Sequence, residues 1–89
     1  TFKTFDDVIK RANDNDLGLC SYLYTNSMEK AQIGSEKLET GCVAVNTGVV
    51  AIAEAPFGGI KQTGYGREGG SGAIKDYLNV KYTHMGLKI

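Results

Sequence analysis

The stretch that decides the interpretation of this 89-residue chain lies at residues 55–68 and reads APFGGIKQTGYGRE. It contains the single proline of the chain, Pro56, and four of its twelve glycines. Proline fixes φ, whereas glycine reaches positive φ values that other residues avoid, so the stretch predicts sharp turns. It lies within residues 46–70, a segment without periodicity. A loop of that length usually has a functional reason, and we look for chemistry there.

Residues 64–69 match the pattern GxGxxG, which is typical of a dinucleotide-binding turn. That turn needs a strand before its first glycine, a helix after it, and an acidic residue about twenty positions later. Residues 57–63 are rich in turn formers instead, and the sequence ends before a second strand could be completed. The sequence context therefore disfavours a dinucleotide site here. A small nucleotide-binding domain stays as an alternative, which predicts that the chain alone binds NAD.

Upstream of the loop, the chain begins with a pattern typical of a short helix. Residues 6–15 carry an apolar stripe, with Asp6 and Asp7 as the N-terminal cap and Gly18 as the stop signal.

A βαβ unit follows. Residues 19–24 and 42–45 are apolar runs suited to strands, and residues 28–38 between them have helical spacing. The crossover is long enough to join two parallel strands. The small-residue face of this helix is formed by Met28, Ala31, Ser35 and Leu38.

Downstream of the loop, residues 71–78 predict a last helix, and the alternation in residues 80–85 predicts a final strand. The predicted fold class is α/β: a parallel βαβ unit, a glycine-rich loop, a short helix and a C-terminal strand. The exposed edge of that last strand leaves backbone groups unpaired unless another chain covers them.

Composition excludes several classes of protein. Ten basic residues balance ten acidic ones, so no surface for nucleic acid or anionic membrane is predicted. Residues 41–60 are apolar but contain Glu54, Pro56 and several glycines, which argues against a transmembrane helix. Cys20 and Cys42 are too few for a disulfide scaffold or a metal site and indicate reduced thiols in the cytoplasm. The N-terminus lacks methionine and a signal peptide, and we expect it to be a cut end.

Residues 55–68 resemble the C-terminal signature of the NAD(P)-dependent aldehyde dehydrogenase superfamily almost residue for residue. Other segments match the family in the same order: residues 13–19, the strand GCVAVN at residues 41–46, and the ending DYLNVKY at residues 76–82. This ending is most similar to that of the succinate-semialdehyde dehydrogenases. The resemblance implies that residues 1–70 are the C-terminal part of a catalytic domain and that residues 71–89 are a terminal helix and oligomerisation strand.

The resemblance also implies a mechanism: a cysteine thiolate attacks the aldehyde, a hydride passes to NAD(P)⁺, and a glutamate-activated water releases the acid. It places both catalytic residues upstream of Thr1. Neither Cys20 nor Cys42 is the nucleophile, because each sits in an apolar strand with no base nearby. We therefore expect this chain alone to be inactive and to bind neither cofactor nor metal. Its partners would be the remainder of the same enzyme chain, further subunits in a dimer or tetramer, and a small aldehyde.

Four positions carry over from the family motif. Phe57 matches an aromatic residue that packs beside the catalytic loop, although an ordinary core aromatic is an equal alternative. Glu68 matches a buried glutamate proposed to relay protons, and is a candidate relay here; a structural pair with Arg67 or another cation is an equal alternative. Ala51 and Ile52 fall in the tunnel through which the aldehyde enters. Family members for succinate semialdehyde usually carry a hydroxyl residue where Ala51 stands, which leaves a less polar aldehyde open.

Three other residues receive structural interpretations or none. Asn46 ends its strand and is expected to tie down the following loop. Lys61 and His84 have no assigned role. The competing class of function is a non-catalytic interaction or oligomerisation module.

Overall fold

The computed structural model describes residues 1–88. It contains two short α-helices, four short strands and one 3₁₀ helix. The chain is elongated, with principal extents of 74 × 24 × 21 Å. Ile89, the last residue of the predicted terminal segment, lies outside the described residues. None of the helices in residues 1–88 is long and apolar enough to span a membrane.

Helix α1 covers Phe5–Asn13, close to the predicted range. Its N-cap is Thr4, whose hydroxyl accepts a hydrogen bond from the Asp7 backbone N–H. The prediction that Asp6 and Asp7 form the cap was wrong, because both aspartates lie inside the first turn, where a negative charge favours the helix dipole. The helix also ends before it reaches Gly18, the glycine that was expected to stop it.

Strand β2 (Cys20–Leu23) lies within the predicted strand of residues 19–24. Strand β1 (Leu17–Gly18) was not predicted and stands where the sequence indicated the stop of the first helix. Helix α2 covers Met28–Lys37 with Ser27 as its N-cap, and strand β3 covers Cys42–Val45. Strands β2 and β3 pair in parallel, which confirms the predicted βαβ unit.

The packed side of α2 differs in part from the predicted one. Gly34 is the buried residue of the helix, because a Cβ atom there would lie 2.5 Å from the Leu23 side chain of β2. Met28 was expected on this side, yet it is 82% exposed. Ala31 and Leu38 are half-buried and Ser35 is exposed. The closest packing of α2 on β2 is therefore at Gly34, which was not among the predicted residues.

Asn46 joins the ends of the parallel pair. Its amide accepts from the Thr25 backbone N–H at 2.8 Å and donates to the Thr25 carbonyl at 2.9 Å. The sequence suggested that Asn46 would hold the loop that follows it. Instead, Asn46 ties the end of β3 to Thr25, a residue that follows β2. The φ of Asn46 is +56°, a left-handed conformation that asparagine adopts more readily than most residues.

The glycine-rich loop carries one strand that the sequence did not predict. Strand β4 (Ile60–Lys61) pairs antiparallel with β1, with Gly18 opposite Ile60. A two-residue strand has no readable periodicity, so the sequence pattern indicates only a loop there.

The C-terminal part departs most from the prediction. The expected last helix is a 3₁₀ helix, Ala73–Tyr77. Residues 80–87 form no strand within residues 1–88, and Val80 and Leu87 are fully exposed. Nothing in the described chain offers these residues a strand to pair with.

The hydrophobic core of residues 1–88 is small, because Ile9 and Ala44 are its only buried hydrophobic residues.

Candidate functional site

The glycine-rich loop lines an open cleft of about 570 Å³. One side is formed by the loop itself and the other by the 3₁₀ helix, which contributes Asp76 and Tyr77. The loop therefore faces a cleft, as a substrate wall must. Its lining side chains include Leu19, Phe57, Thr63, Tyr65, Arg67 and Glu68.

Phe57 and Glu68 are brought together by the backbone. They form an isolated antiparallel bridge in which each residue donates its N–H to the carbonyl of the other, both at 2.7 Å. The ten residues between them are thereby closed into a hairpin-like loop. Two of the predicted site residues thus share one place in the cleft.

Arg67 holds the inside of this loop. Its guanidinium donates to the Gly59 carbonyl at 2.8 Å and to the Gly66 carbonyl at 2.7 Å. Gly66 and Gly64 have φ values of +111° and +103°, which favour glycine. The arginine therefore ties both limbs of the loop together, and within residues 1–88 it forms no salt bridge with Glu68. The predicted structural pair between these two residues was wrong.

Lys61 and Thr63 anchor the loop to the rest of the chain. The Lys61 ammonium lies 2.7 Å from a Glu39 carboxylate oxygen and donates to the carbonyls of Asn13 and Asn15 at 3.0 and 3.1 Å. The Thr63 hydroxyl accepts from the Gly18 N–H at 2.8 Å. Because Asn13 ends α1, the lysine charge also lies at the negative end of a helix dipole. Lys61 keeps a φ of +56°, which these contacts stabilise.

A close backbone contact sets the loop against β3. A Cβ atom on Gly41 would overlap the Gly58 carbonyl oxygen and lie 2.9 Å from the Gly59 Cα. Only glycine fits at residue 41 without moving the loop. The Cys42 thiol donates to the same Gly58 carbonyl, at 3.7 Å.

The Glu68 side chain is exposed in this chain. A proton relay of the kind expected needs a carboxyl that is shielded from water, because desolvation tunes its pKa. The described residues do not provide that shielding. Any cover over Glu68 must come from polypeptide outside residues 1–88.

Ala51 and Ile52 lie apart from Phe57 and Glu68. Both are exposed, Ile52 to 53%, and neither lines the main cleft. Ile52 lines a second, shallow cavity of about 300 Å³ beside β3, together with Val49 and Pro56. Ile52 and Phe57 thus line different cavities of this chain.

The GxGxxG segment lacks the geometry of a dinucleotide turn. It follows the antiparallel strand β4, and the next element is the five-residue 3₁₀ helix. A pyrophosphate site requires a parallel strand and the N-terminus of an α-helix. Residues 1–88 also contain no group of three or more metal-ligating side chains.

Cys20 and Cys42 face each other across β2 and β3, outside the main cleft. Burial, the neighbouring Cys42 and a hydrogen bond to its side chain raise the pKa of the Cys20 thiol. A nucleophilic cysteine needs a lowered pKa, so the environment of Cys20 is the opposite of an activated one.

Sequence reasoning missed Lys61, Thr63 and Arg67 as the residues that shape the loop. Their partners can lie far away in sequence, as for Lys61 and Asn13, which are 48 positions apart. One sequence signal could have found two of them. Lys61 and Arg67 are isolated cations in a glycine-rich motif, where backbone carbonyls are available to accept their hydrogen bonds.

Comparison with known proteins gives a consistent result. The sequence profile of the aldehyde dehydrogenase family matches residues 1–83. The mitochondrial succinate-semialdehyde dehydrogenase of Oryza sativa subsp. japonica is 47% identical over 85 residues, which cover 96% of this chain and 16% of that protein. The NADP(+) succinate-semialdehyde dehydrogenase of Escherichia coli (strain K12) is 46% identical over 86 residues, which cover 97% of this chain and 18% of the relative.

A solved structure agrees in fold. The NAD+ complex of an aldehyde dehydrogenase from Bacillus cereus superposes with a TM-score of 0.90 at 38% identity, covering 98% of this chain and 18% of that one. The chain thus spans less than a fifth of the length of the proteins that it matches.

Proposed function

The chain belongs to the aldehyde dehydrogenase family, and we propose that it is the C-terminal segment of an enzyme that oxidises an aldehyde to its carboxylic acid with NAD(P)⁺. One observation carries the proposal: residues 57–68 are closed into a loop by the Phe57–Glu68 bridge and line an open cleft. The match to 16–18% of full-length relatives supports a segment rather than a whole enzyme.

In this proposal the segment supplies a wall and not the reacting groups. The nucleophilic cysteine, the general base and the nucleotide site belong to polypeptide outside the chain, because Cys20 has a raised pKa and residues 64–69 lack the nucleotide-turn geometry. NAD(P)⁺, held by that other polypeptide, would supply the hydride acceptor. Phe57 shapes the aldehyde channel, and Glu68 is a candidate proton relay once other polypeptide covers it.

The first experiment compares the chain with the full-length enzyme. Purified 89-residue material should produce no NAD(P)H from aldehydes and should show no heat of NAD binding in calorimetry. The full-length enzyme should produce NAD(P)H and should show a heat of NAD binding. Turnover by the chain alone would overturn the proposal, and micromolar NAD binding would support a small nucleotide-binding domain instead. An intact mass of the natural protein several times 9.6 kDa supports the segment interpretation.

The wall itself is tested in the full-length enzyme with Phe57→Ala. Removing the ring should raise the KM for aldehyde and leave the KM for NAD(P)⁺ unchanged. A contact that binds the substrate equally well in the ground state and the transition state affects KM. Phe2→Ala is the matched control, since Phe2 is 59% exposed and does not line the cleft. Equal effects of the two substitutions would contradict a specific role for Phe57.

The proposed substrate is succinate semialdehyde, with a less polar aldehyde as the second candidate. Similarity to succinate-semialdehyde dehydrogenases supports the first, whereas the apolar pair Ala51 and Ile52 favours the second. A carboxylate substrate would have to be held by cations elsewhere in the enzyme. The ratio of kcat/KM for succinate semialdehyde to that for butanal decides between them, and Ala51→Ser should lower the KM for succinate semialdehyde if a hydroxyl there binds the carboxylate.

Assembly is the second part of the proposal. Residues 80–87 are exposed and form no strand within residues 1–88, which suits a segment that pairs with another subunit in a dimer or tetramer. Truncation after Leu78 should therefore lower the oligomeric state measured by light scattering. If the truncated enzyme keeps its native mass, the segment has another role. A non-catalytic assembly module remains the alternative function, favoured if the full-length protein assembles but shows no turnover with any aldehyde.

The compartment is also a proposal. Two free thiols at paired positions of neighbouring strands are typical of a reducing compartment such as the cytoplasm. Cell fractionation of a tagged full-length protein tests this assignment.

A further inference from the structure

Strands β2 and β3 place two cysteines directly opposite each other. Cys20 is the register partner of Cys42, so the two side chains leave the same face of the parallel pair. Both thiols are free and both residues are half-buried. The chain has no other cysteine, and these two form one unit.

We propose that Cys20 and Cys42 form a dithiol site that captures one thiophilic centre, represented by the trivalent arsenic of an organoarsenical. The reaction with an arsine oxide is balanced without a redox step. Two As–S bonds form, the As–O bond breaks, and the two thiol protons leave with the oxide oxygen as one water. Arsenic and sulfur keep their oxidation states.

The spacing of the strands favours a bridging atom over a direct disulfide. Neighbouring strands lie about 4.8 Å apart, and side chains that project side by side keep roughly that separation. A disulfide needs Cβ atoms about 3.5–4.5 Å apart, so closing the S–S bond would pull the strands together. An arsenic atom between the sulfurs lengthens the bridge and leaves the register in place.

The local chemistry gives this site a distinctive reactivity. Burial and the adjacent Cys42 thiol raise the pKa of the Cys20 thiol, so a reagent that reacts with one thiol at a time meets a poor nucleophile at Cys20. For a bifunctional centre, the first bond brings the second sulfur to a local concentration on the order of millimolar or higher. Cys20 should therefore resist alkylation, yet the pair should retain an arsenical.

Capture would also act on the glycine-rich loop. The Cys42 thiol donates to the Gly58 carbonyl, and the bond to arsenic removes that proton. Gly41 already contacts the same carbonyl so closely that no Cβ atom fits between them. An occupant beside Cys42 should therefore loosen the loop from β3. The consequence for the aldehyde channel rests on the proposed function, whereas the site itself does not.

The test uses phenylarsine oxide on the full-length enzyme, followed by excess glutathione, which removes arsenic from single thiols. Trypsin releases Cys20 in the peptide of residues 12–30 and Cys42 in the peptide of residues 38–61. The expected result is one species in which a phenylarsenic group joins these two peptides and replaces two protons. Iodoacetamide without denaturant should alkylate the Cys20 peptide much more slowly than the arsenical binds to it.

The matched variants are Cys20→Ser and Cys42→Ser, which keep the side-chain size and remove one sulfur each. Both should lose the arsenic-linked pair. The proposal is overturned if arsenic is found only on other cysteines, if glutathione removes it from this pair, or if either variant retains it on these peptides. Should a serine variant fail to fold, the wild-type peptide map alone decides, because the linked pair is either present or absent.

Hydrogen exchange measures the coupling to the loop, independently of catalysis. Amides within residues 57–68 should exchange faster in the arsenical adduct than in the free enzyme, while those of α1 should not change. Unchanged exchange in the loop would overturn the coupling and leave the dithiol assignment standing. Loss of turnover would play no part in either decision, so failure of the proposed function is seen separately.

Discussion

Phe57 and Glu68 are joined by two reciprocal backbone hydrogen bonds, each 2.7 Å long, across a loop of ten residues. The pair fixes the distance between an aromatic side chain and a carboxylate in the same cleft. Because the bonds are made by the backbone, substitution of either side chain should leave the loop closed. The chemical role of each side chain can therefore be tested without dismantling the site.

Glu68→Gln in the full-length enzyme tests the relay. Glutamine keeps the shape and the backbone bonds but cannot exchange a proton, so kcat should fall by at least about tenfold, part of the roughly 10²- to 10⁴-fold that positioned acid–base groups contribute. The fall should be smaller at high pH, where hydroxide replaces the relay, and the KM for aldehyde should not move. Steady-state kinetics across pH measure this. Glu36→Gln on α2 is the control, and an unchanged kcat for Glu68→Gln would exclude the relay.

Gly41→Ala should destabilise the enzyme strongly. The added methyl overlaps the Gly58 carbonyl, and overpacking against backbone costs about 1–3 kcal/mol or more in the free energy of unfolding. Gly72→Ala is the matched control, because Gly72 has an ordinary φ of −86° and a Cβ atom there would meet nothing within 4 Å. Thermal melting of both variants compares them, and equal melting temperatures would show that the loop does not dock on β3.

Lys61→Met should loosen the loop from α1. The substitution keeps the aliphatic stem and removes the ammonium that contacts Glu39, Asn13 and Asn15. Hydrogen bonds to charged groups contribute about 1.5–3 kcal/mol, and partial exposure places the expected loss near the lower end. Urea unfolding measures the loss. Lys75→Met, in the 3₁₀ helix, should change stability by less than about 0.5 kcal/mol; a similar loss in both variants would show that the contacts of Lys61 add nothing.

The raised pKa of Cys20 predicts a loss of stability at alkaline pH. The ordinary pKa is 9.0, and burial raises it in the folded chain, so near and above pH 9.0 the unfolded state releases its proton first. The unfolded state then binds fewer protons than the folded state, and the free energy of unfolding falls as pH rises through this window. Below it the contribution is constant. Cys20→Ser should make the free energy of unfolding less dependent on pH in this window. Urea unfolding from about pH 8 to about pH 10.5 measures this dependence, and an unaltered slope would contradict the raised pKa of Cys20.

The βαβ unit could be predicted because its signals are local. Ser27 caps α2, the helix has its own period, and the apolar runs around Tyr22 and Val43 mark the two parallel strands. Family membership was also readable from the sequence, because residues 55–68 form a long motif whose order is specific.

Only the tertiary structure decided how the loop is held and what each candidate residue faces. The contacts of Lys61, the bridge between Phe57 and Glu68, and the pairing of Cys20 with Cys42 join residues that are 11 to 48 positions apart. No local pattern encodes such contacts, since they depend on where separate elements come to lie after packing. The same reason explains residues 80–87: their alternation predicts a strand, but a strand forms only where a partner offers its hydrogen-bonding edge.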